Sequence, residues 1–138
     1  MKFRTSPTGK DFEIQDEWWS FVEMEKFRKN SGEFYCYGRQ PNENLVEVVD
    51  FLDVEPPVRA EGIVPFKKYK LVPVLFAIAS PECSLPPVKV KKLNQEMGYR
   101  YRVTNGYHRY YASAAVGFSK LPVVIEEVDW QVKSTIPE

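Results

Sequence analysis

Residues 88–125, VKVKKLNQEMGYRYRVTNGYHRYYASAAVGFSKLPVVI, contain the pattern that decides the fold. Two runs alternate apolar or aromatic residues with basic ones, which is the period-two pattern of half-buried strands. The alternating residues are Val88 and Val90 in the first run and Tyr99, Tyr101 and Val103 in the second. Because the NQEMG segment between them, residues 94–98, ends in glycine, the two runs predict a β-hairpin.

The rest of this stretch predicts a helix and a final strand. A turn at residues 104–106 is followed by an alanine-rich helix from Tyr107 to Val116, and Gly117 stands where a helix end favours glycine. The segment LPVVIEEV, residues 121–128, is typical of a strand. The order strand, helix, strand predicts a crossover unit of right-handed sense.

The upstream residues predict further elements. Residues 68–80 predict a helix with a mostly apolar face, in which Pro73 falls within the first two turns. An earlier helix is predicted from Asp16, as its N-cap, to Gly32, which would close it. Two segments rich in aromatic and β-branched residues predict short strands, and a proline-rich one predicts a loop. These are EFYCYGR at 33–39, LVEVVDFLDV at 45–54 and EPPVRAEG at 55–62.

Length and composition limit the classes of function that this protein can have. The 138 residues are enough for a single domain, and 19 acidic residues balance 19 basic ones, so a basic site must be local. The longest apolar run, Leu71–Ala79, is too short to cross a bilayer, and residues 1–15 lack the apolar run of a signal peptide. Cys36 and Cys83 match no metal or redox spacing. We therefore expect reduced thiols in a cytoplasmic protein without a membrane partner, although their spacing leaves a disulfide open.

The start of the helix predicted at 107–116 has an unusual charge. His108 and Arg109 fall in its first turn, where the helix dipole disfavours a cation by about 0.3–1 kcal/mol. A bound anion would remove this cost. Gly106 would let backbone N–H groups approach the anion, Arg109 would offer several N–H donors in one plane, and His108 would offer one further donor. We therefore hypothesise a phosphate site at residues 106–109. In the alternative interpretation, Arg109 turns into solvent and His108 packs on the core.

The stretch SLPPVKVKKLNQEMGYRYRVTNGYHRYYASAAVGFSKLPVVI, residues 84–125, resembles the core of the ParB/sulfiredoxin superfamily. The shared order is a helix, a strand after two prolines, its hairpin partner, a glycine turn, an alanine-rich helix and a strand beginning like "IPV". The turn is most similar to the Gly-Cys-His-Arg turn of sulfiredoxin, and here it reads Gly106, Tyr107, His108, Arg109. The resemblance covers about residues 59–128, which leaves residues 1–58 as an N-terminal extension packed on that core within one domain.

This resemblance implies an α+β fold, a small mixed sheet with flanking helices, and a turn that binds nucleotide phosphates. The expected ligand is ATP or another nucleotide, with Mg²⁺, or a phosphate ester, and phosphoryl transfer or hydrolysis is left open. Lys70 matches a nucleotide-contacting lysine, although it is equally a solvated lysine of the KKYK segment; Arg59 matches a phosphate-binding arginine if one gap is allowed. The candidate site therefore comprises Gly106, Tyr107, His108, Arg109, Lys70 and Arg59, with no catalytic residue and no metal ligand assigned.

Two departures from the superfamily limit which of its properties we expect in this chain. Tyr107 stands where sulfiredoxin has its nucleophilic cysteine, and a phenol with a pKa near 10 cannot repeat thiolate chemistry, so we expect no reduction of sulfinic acids. The partition proteins carry a helix-turn-helix domain after this core and have arginine where His108 stands. Here only about ten residues follow the last predicted strand, and the identity of the nucleotide stays open.

Other charged groups support alternative functions. A basic face of the hairpin would suit a non-enzymatic module that binds nucleic acid, or it is simply solvated. Its residues are Lys89, Lys91, Arg100 and Arg102. Glu126, Glu127 and Asp129 would help to hold Mg²⁺ near phosphates, or they are solvated. A third alternative is a site that has lost its ligand.

Overall fold

The computed structural model describes residues 1–7, 9–27, 46–59, 65–80, 85–94 and 98–126. Within these ranges the chain forms a five-stranded mixed sheet, a two-stranded sheet and three α-helices, which confirms the predicted α+β class. The elements are β1 (Lys2–Arg4), β2 (Asp11–Glu13), α1 (Asp16–Phe21), β3 (Glu47–Asp50), β4 (Val54–Glu55), α2 (Lys68–Ala79), β5 (Val88–Lys92), β6 (Tyr101–Asn105), α3 (Tyr107–Val116) and β7 (Lys120–Ile125). No helix of this described part is long and apolar enough to cross a membrane.

The larger sheet has the strand order β3-β7-β5-β6-β4. The predicted hairpin is confirmed, because β5 and β6 pair antiparallel with Val90 opposite Val103. The predicted crossover from β6 to β7 is wrong in one respect. The strands β6 and β7 lie on opposite edges of β5, and it is β5 that runs parallel to β7. The hairpin fills one edge of β5, so the chain must pass through α3 to the other edge, and the parallel connection therefore joins β5 to β7.

The core lies between this sheet and the two long helices. Helix α2, predicted at 68–80, buries Leu71, Leu75 and Ile78, and α3 buries Tyr110. Each large side chain buried in this way contributes about 1.5–3 kcal/mol to folding. Helix α3 begins and ends as predicted, with Gly117 in the left-handed conformation at its C-terminus. The start of α3 packs closely on β5, since Gly106 lies against Val88.

The N-terminal half differs from the prediction. Helix α1 ends at Phe21 rather than near Gly32, since Glu23 adopts a left-handed φ of 61° that interrupts helical bonding. Gln15, not Asp16, is its N-cap, and an oxygen of Asp16 instead accepts a hydrogen bond of 2.6 Å from the N-terminal ammonium. The strand predicted at 45–54 is split into β3 and β4 by a 3-10 turn, Phe51–Asp53.

The first strands form a hairpin that the sequence analysis does not predict. Strands β1 and β2 pair antiparallel with Phe3 opposite Phe12. The Phe12 ring packs edge-on against Tyr111 of α3, with ring centroids 4.9 Å apart. The hairpin therefore lies beside the N-terminal half of α3. Several predictions fall outside the described residues: the strand at 33–39, Gly32, Cys36, Cys83, Glu127 and Asp129.

Candidate functional site

A cleft of about 660 Å³, here called the basic cleft, opens where β6 turns into α3. It is bordered by the first turns of α2 and α3 and by two loop segments, residues 57–59 and 85–86. All six predicted site residues line it: Arg59, Lys70, Gly106, Tyr107, His108 and Arg109. Its volume lies within the range of about 300–1,000 Å³ that is usual for small-ligand sites.

Steric contacts explain why the turn has glycine at position 106. Gly106 has a φ of 125°, which L side chains rarely adopt. A Cβ atom there would lie 3.0 Å and 3.2 Å from the two γ carbons of Val88, which is fully buried. The turn therefore needs glycine both for its backbone conformation and for close packing on β5. Among the described residues no side chain caps the N-terminus of α3.

Arg109 lies against the backbone at the entrance to β5. Its Nη1 donates hydrogen bonds to the carbonyl oxygens of Pro86, at 2.9 Å, and Pro87, at 2.7 Å. The side chain is half-buried, so the alternative in which it turns into solvent is wrong. Arg109 thus fixes residues 86–87 to α3 while its charge remains in the lining of the basic cleft.

His108 is buried and uncharged. Its side chain is 8% exposed, and its Nε2 accepts a hydrogen bond of 3.3 Å from the backbone N–H of Lys67. Burial, and then the nearby charges of Arg59, Lys70 and Lys67, lower the pKa of His108 to about 4. Because Nε2 accepts, the proton of the neutral ring is on Nδ1. His108 is therefore not a cationic donor at neutral pH, and its burial agrees with the alternative interpretation.

Arg59 and Tyr107 contact each other in the lining of the basic cleft. The guanidinium carbon of Arg59 lies 4.3 Å from the centroid of the Tyr107 ring, a cation–π contact. Burial raises the pKa of Tyr107, and the charge of Arg59 partly opposes that rise. The hydroxyl of Tyr111 donates a hydrogen bond of 2.6 Å to the carbonyl oxygen of Pro57. This bond joins the segment that carries Arg59 to α3.

The charged side chains in the described lining of the basic cleft are all cationic. Lys70 is exposed in the first turn of α2, and the first turns of α2 and α3 contain no acidic residue. Arg59, Lys70 and Arg109 line the cleft, and no acidic side chain is among the described residues that do so. The bond from Lys67 to His108 joins the two helix N-termini, whose dipoles add further positive potential. The described part of the lining therefore concentrates positive charge in a chain of zero net charge.

A second cleft of about 460 Å³, here called the aromatic cleft, adjoins the first. The two clefts share four lining residues: Pro57, Val58, Arg59 and Tyr107. The remaining lining includes Phe12, Trp18, Phe66 and Tyr111. This cleft was not predicted from the sequence, because no element was expected before Asp16. The signal was present as KFR and DFE, two alternating runs around a proline- and glycine-containing turn.

The basic face predicted for the hairpin is partly neutralised. Lys91 lies opposite Arg102 across β5 and β6, so the two share a face as expected. However, Nε of Arg102 donates a hydrogen bond of 2.7 Å to a carboxylate oxygen of Glu55 on β4, and this bond raises the pKa of Arg102. Lys89 and Arg100 are exposed. The face therefore carries both signs of charge.

The predicted acidic group is only partly described. The hydroxyl of Thr104, which lines the basic cleft, donates a hydrogen bond to Glu126. Within the described ranges, no group of three or more His, Cys, Asp or Glu residues lies close enough to hold a metal ion. Of the three predicted acidic residues, the structure therefore describes Glu126, which bonds a residue lining the basic cleft.

Comparison of the chain with models of known protein families finds no match, and comparison with curated proteins finds none either. The geometry and charge of the two clefts are therefore the observations that bear on function.

Proposed function

We propose that the basic cleft binds the phosphate groups of a nucleotide or another phosphate ester. The observation that supports this proposal is that Arg59, Lys70 and Arg109 line a cleft at two helix N-termini, without an acidic residue among its described lining. Phosphate binds well at such positions, because backbone N–H groups and helix dipoles both favour negative charge. A bound anion would also lower the repulsion among these three cationic side chains.

Each lining residue has a distinct part in this proposal. Lys70, which is exposed, would move its ammonium group to a phosphate oxygen. Arg59 would present the edge of a guanidinium that stacks on Tyr107. Gly106 would bring the first N–H groups of α3 near the ligand, and His108 would donate through Nδ1–H without adding charge. Arg109 would contribute mainly its charge, since its Nη1 already binds two carbonyl oxygens.

The same geometry supports binding more than catalysis. The Nε2 of His108 accepts a backbone hydrogen bond, so its lone pair is occupied and it is a poor general base. Burial raises the pKa of Tyr107, which keeps the phenol protonated and a weak nucleophile. Mg²⁺ would enter with the nucleotide, chiefly on phosphate oxygens. Glu126, which accepts a hydrogen bond from the lining residue Thr104, is a described carboxylate that would assist.

We also propose that the chain is a divergent member of the ParB/sulfiredoxin superfamily. The support is the order of the elements: the hairpin β5–β6, the Gly106–Arg109 turn, α3 and then β7. The turn lines the basic cleft together with Lys70 and Arg59, the two residues that the resemblance assigns to phosphate binding. Tyr107 in place of cysteine agrees with a binding function without sulfinic acid reduction.

Calorimetric titration with inorganic tripolyphosphate and with Mg²⁺–ATP tests the proposed function. Lys70→Ala and Arg59→Ala should each weaken binding by about tenfold, since each removes a charge-assisted hydrogen bond to phosphate. Matched controls are Lys92→Ala and Arg100→Ala, which remove one lysine and one arginine from exposed positions of the hairpin. These controls should leave the affinity within about twofold, as expected for solvated charges away from the ligand.

Two outcomes would contradict the proposal. One is the absence of binding by the wild type at millimolar ligand. The other is an equal loss in the cleft variants and the hairpin variants, which would indicate non-specific attraction. Tight, salt-dependent binding of an oligonucleotide that Arg100→Ala weakens would instead favour the nucleic-acid-binding alternative.

A further inference from the structure

The aromatic cleft contains rings contributed by separate parts of the chain. Phe12 comes from β2, Trp18 from α1, Phe66 from the segment before α2, and Tyr111 from α3. The ring centroid of Tyr111 lies 4.9 Å from that of Phe12 and 5.3 Å from that of Phe66. Phe66 and Tyr111 are buried beneath the cleft, whereas Phe12 and Trp18 are partly exposed. Partly exposed rings bind aromatic groups by stacking and by removing apolar surface from water.

The wall between the two clefts is suited to a ligand that occupies both. Arg59 and Tyr107 line each cleft, and the Tyr107 ring lies 4.9 Å from the Tyr111 ring, measured between centroids. Aromatic surface therefore continues from one cleft to the other. Pro57, whose carbonyl oxygen accepts the Tyr111 hydroxyl, also lines both clefts. The connection is thus held in place at two points, by a cation–π contact and by a hydrogen bond.

The charges of the two clefts would orient such a ligand. The charged residues in the described lining of the basic cleft are all cationic, whereas the aromatic cleft has both signs, with Asp11 and Glu13 beside Lys10 and Arg59. Asp11 is paired with Arg4, at 2.6 Å, which reduces the repulsion it exerts. A polyphosphate would therefore favour the basic cleft, and a neutral ring with hydrogen-bond donors would favour the aromatic one.

We infer that the aromatic cleft binds the base of a nucleoside polyphosphate whose phosphates lie in the basic cleft. The inference rests on the proposed function and narrows its ligand class from any phosphate ester to nucleotides. The N-terminal hairpin β1–β2 and α1 then belong to the binding site, because they supply Phe12 and Trp18. Stacking on these rings adds a contribution that tripolyphosphate cannot make.

The test compares tripolyphosphate with ATP, CTP, GTP and UTP, each with Mg²⁺. At least one nucleotide should bind about tenfold more tightly than tripolyphosphate to the wild type. Trp18→Leu should remove most of this difference while the affinity for tripolyphosphate stays unchanged. Trp19→Leu is the matched control, because Trp19 packs on Phe3, at 5.1 Å between ring centroids, and is not among the residues lining the aromatic cleft.

A fluorescence titration provides a second readout that does not depend on removing Trp18. The chain has three tryptophans, so Trp19→Phe with Trp130→Phe leaves Trp18 as the sole emitter. Nucleotide should quench this emission, and tripolyphosphate should not. Equal affinities for tripolyphosphate and all four nucleotides, without quenching, would overturn this inference and leave phosphate binding intact. Failure of every ligand to bind would overturn the proposed function and this inference together.

Discussion

The basic cleft and the basic face of the hairpin differ in the charges of the described residues around them. In the sequence both are short basic segments, NGYHR for the cleft and KVKK with YRYR for the hairpin. In the structure the described lining of the cleft has Arg59, Lys70 and Arg109 without an acidic residue. On the hairpin, Arg102 pairs with Glu55 from β4.

Chain topology produces this difference. Strand β4 pairs parallel with β6, which places Glu55 beside Arg102 in register. The cleft receives its charges from two helix starts and a loop. The neighbouring strand β5 supplies no carboxylate, and Glu126, a described carboxylate beside the cleft, bonds Thr104. Basic residues that are adjacent in sequence therefore do not define a site by themselves. What matters is which charged side chains the elements packed beside them contribute.

The largest effect on stability should come from replacing the glycine at the basic cleft, compared with the same replacement at the hairpin. Gly106→Ala should lower the free energy of unfolding by about 3 kcal/mol, because the new Cβ both forces a strained φ and crowds Val88. Gly98→Ala, at the hairpin, also has a positive φ, of 85°, but a Cβ there meets nothing within 4 Å. Gly98→Ala should therefore lower the free energy of unfolding by only about 1 kcal/mol, because an alanine in this left-handed conformation is disfavoured by that amount. Urea denaturation measures both values.

Equal losses in the two variants would mean that Gly106 is required for its backbone conformation alone. In that case the close packing of the turn on β5 would be unimportant, and larger residues of left-handed preference, such as asparagine, would be tolerated at position 106. A loss at Gly98 that exceeds the loss at Gly106 would contradict the comparison itself.

The next effect concerns the pH dependence of stability. The pKa of His108 is about 4 in the folded protein, below its ordinary value of 6.5, so the unfolded chain takes up the proton first as the pH falls. Stability should therefore be fully present above pH 6.5 and decrease as the pH falls towards 4. The loss should be about 2 kcal/mol once solvent screening at the edge of the cleft is allowed for. Urea denaturation at pH 7 and pH 5 measures it.

His108→Gln is the control for this prediction. A glutamine oxygen can accept the Lys67 N–H as Nε2 does, but it does not titrate. Because the chain has one histidine, the difference between wild type and variant isolates its contribution from that of the carboxylates. An identical pH dependence in both proteins would show that His108 is not held neutral by burial.

The elements with strong periodicity were predictable. Strands β5 and β6 and helices α2 and α3 each repeat their apolar residues with a clear period, and local pattern alone determines such elements. The convergence of Gly106, Lys70 and Arg59 on one cleft was implied by the resemblance to a known superfamily, not by spacing. The edge of β5 on which β7 pairs was not predictable, since it depends on which edge the hairpin leaves open.

Long-range packing decided what the sequence did not reveal. Helix α1 stops at Phe21 although apolar residues continue, and the first strands form a hairpin that packs through Phe12 on Tyr111. The charge of His108 depends on burial and on three cations from other segments, and the two carbonyl oxygens that Arg109 binds are more than 20 residues away in sequence. None of these partners can be identified from local pattern.

The smallest effect should come from Glu55→Gln, which removes the counterion of Arg102 without changing side-chain size. Exposed ion pairs contribute little to stability, so the change in the free energy of unfolding should be well below that of Gly98→Ala. Single-strand oligonucleotide binding at physiological salt should also stay weak, because one unpaired arginine adds little to a face that is already solvated. A large gain in oligonucleotide affinity in Glu55→Gln that disappears in the double variant Glu55→Gln, Arg102→Ala would contradict this prediction. It would show that Glu55 masks a nucleic-acid-binding face, and the hairpin would then replace the cleft as the functional region.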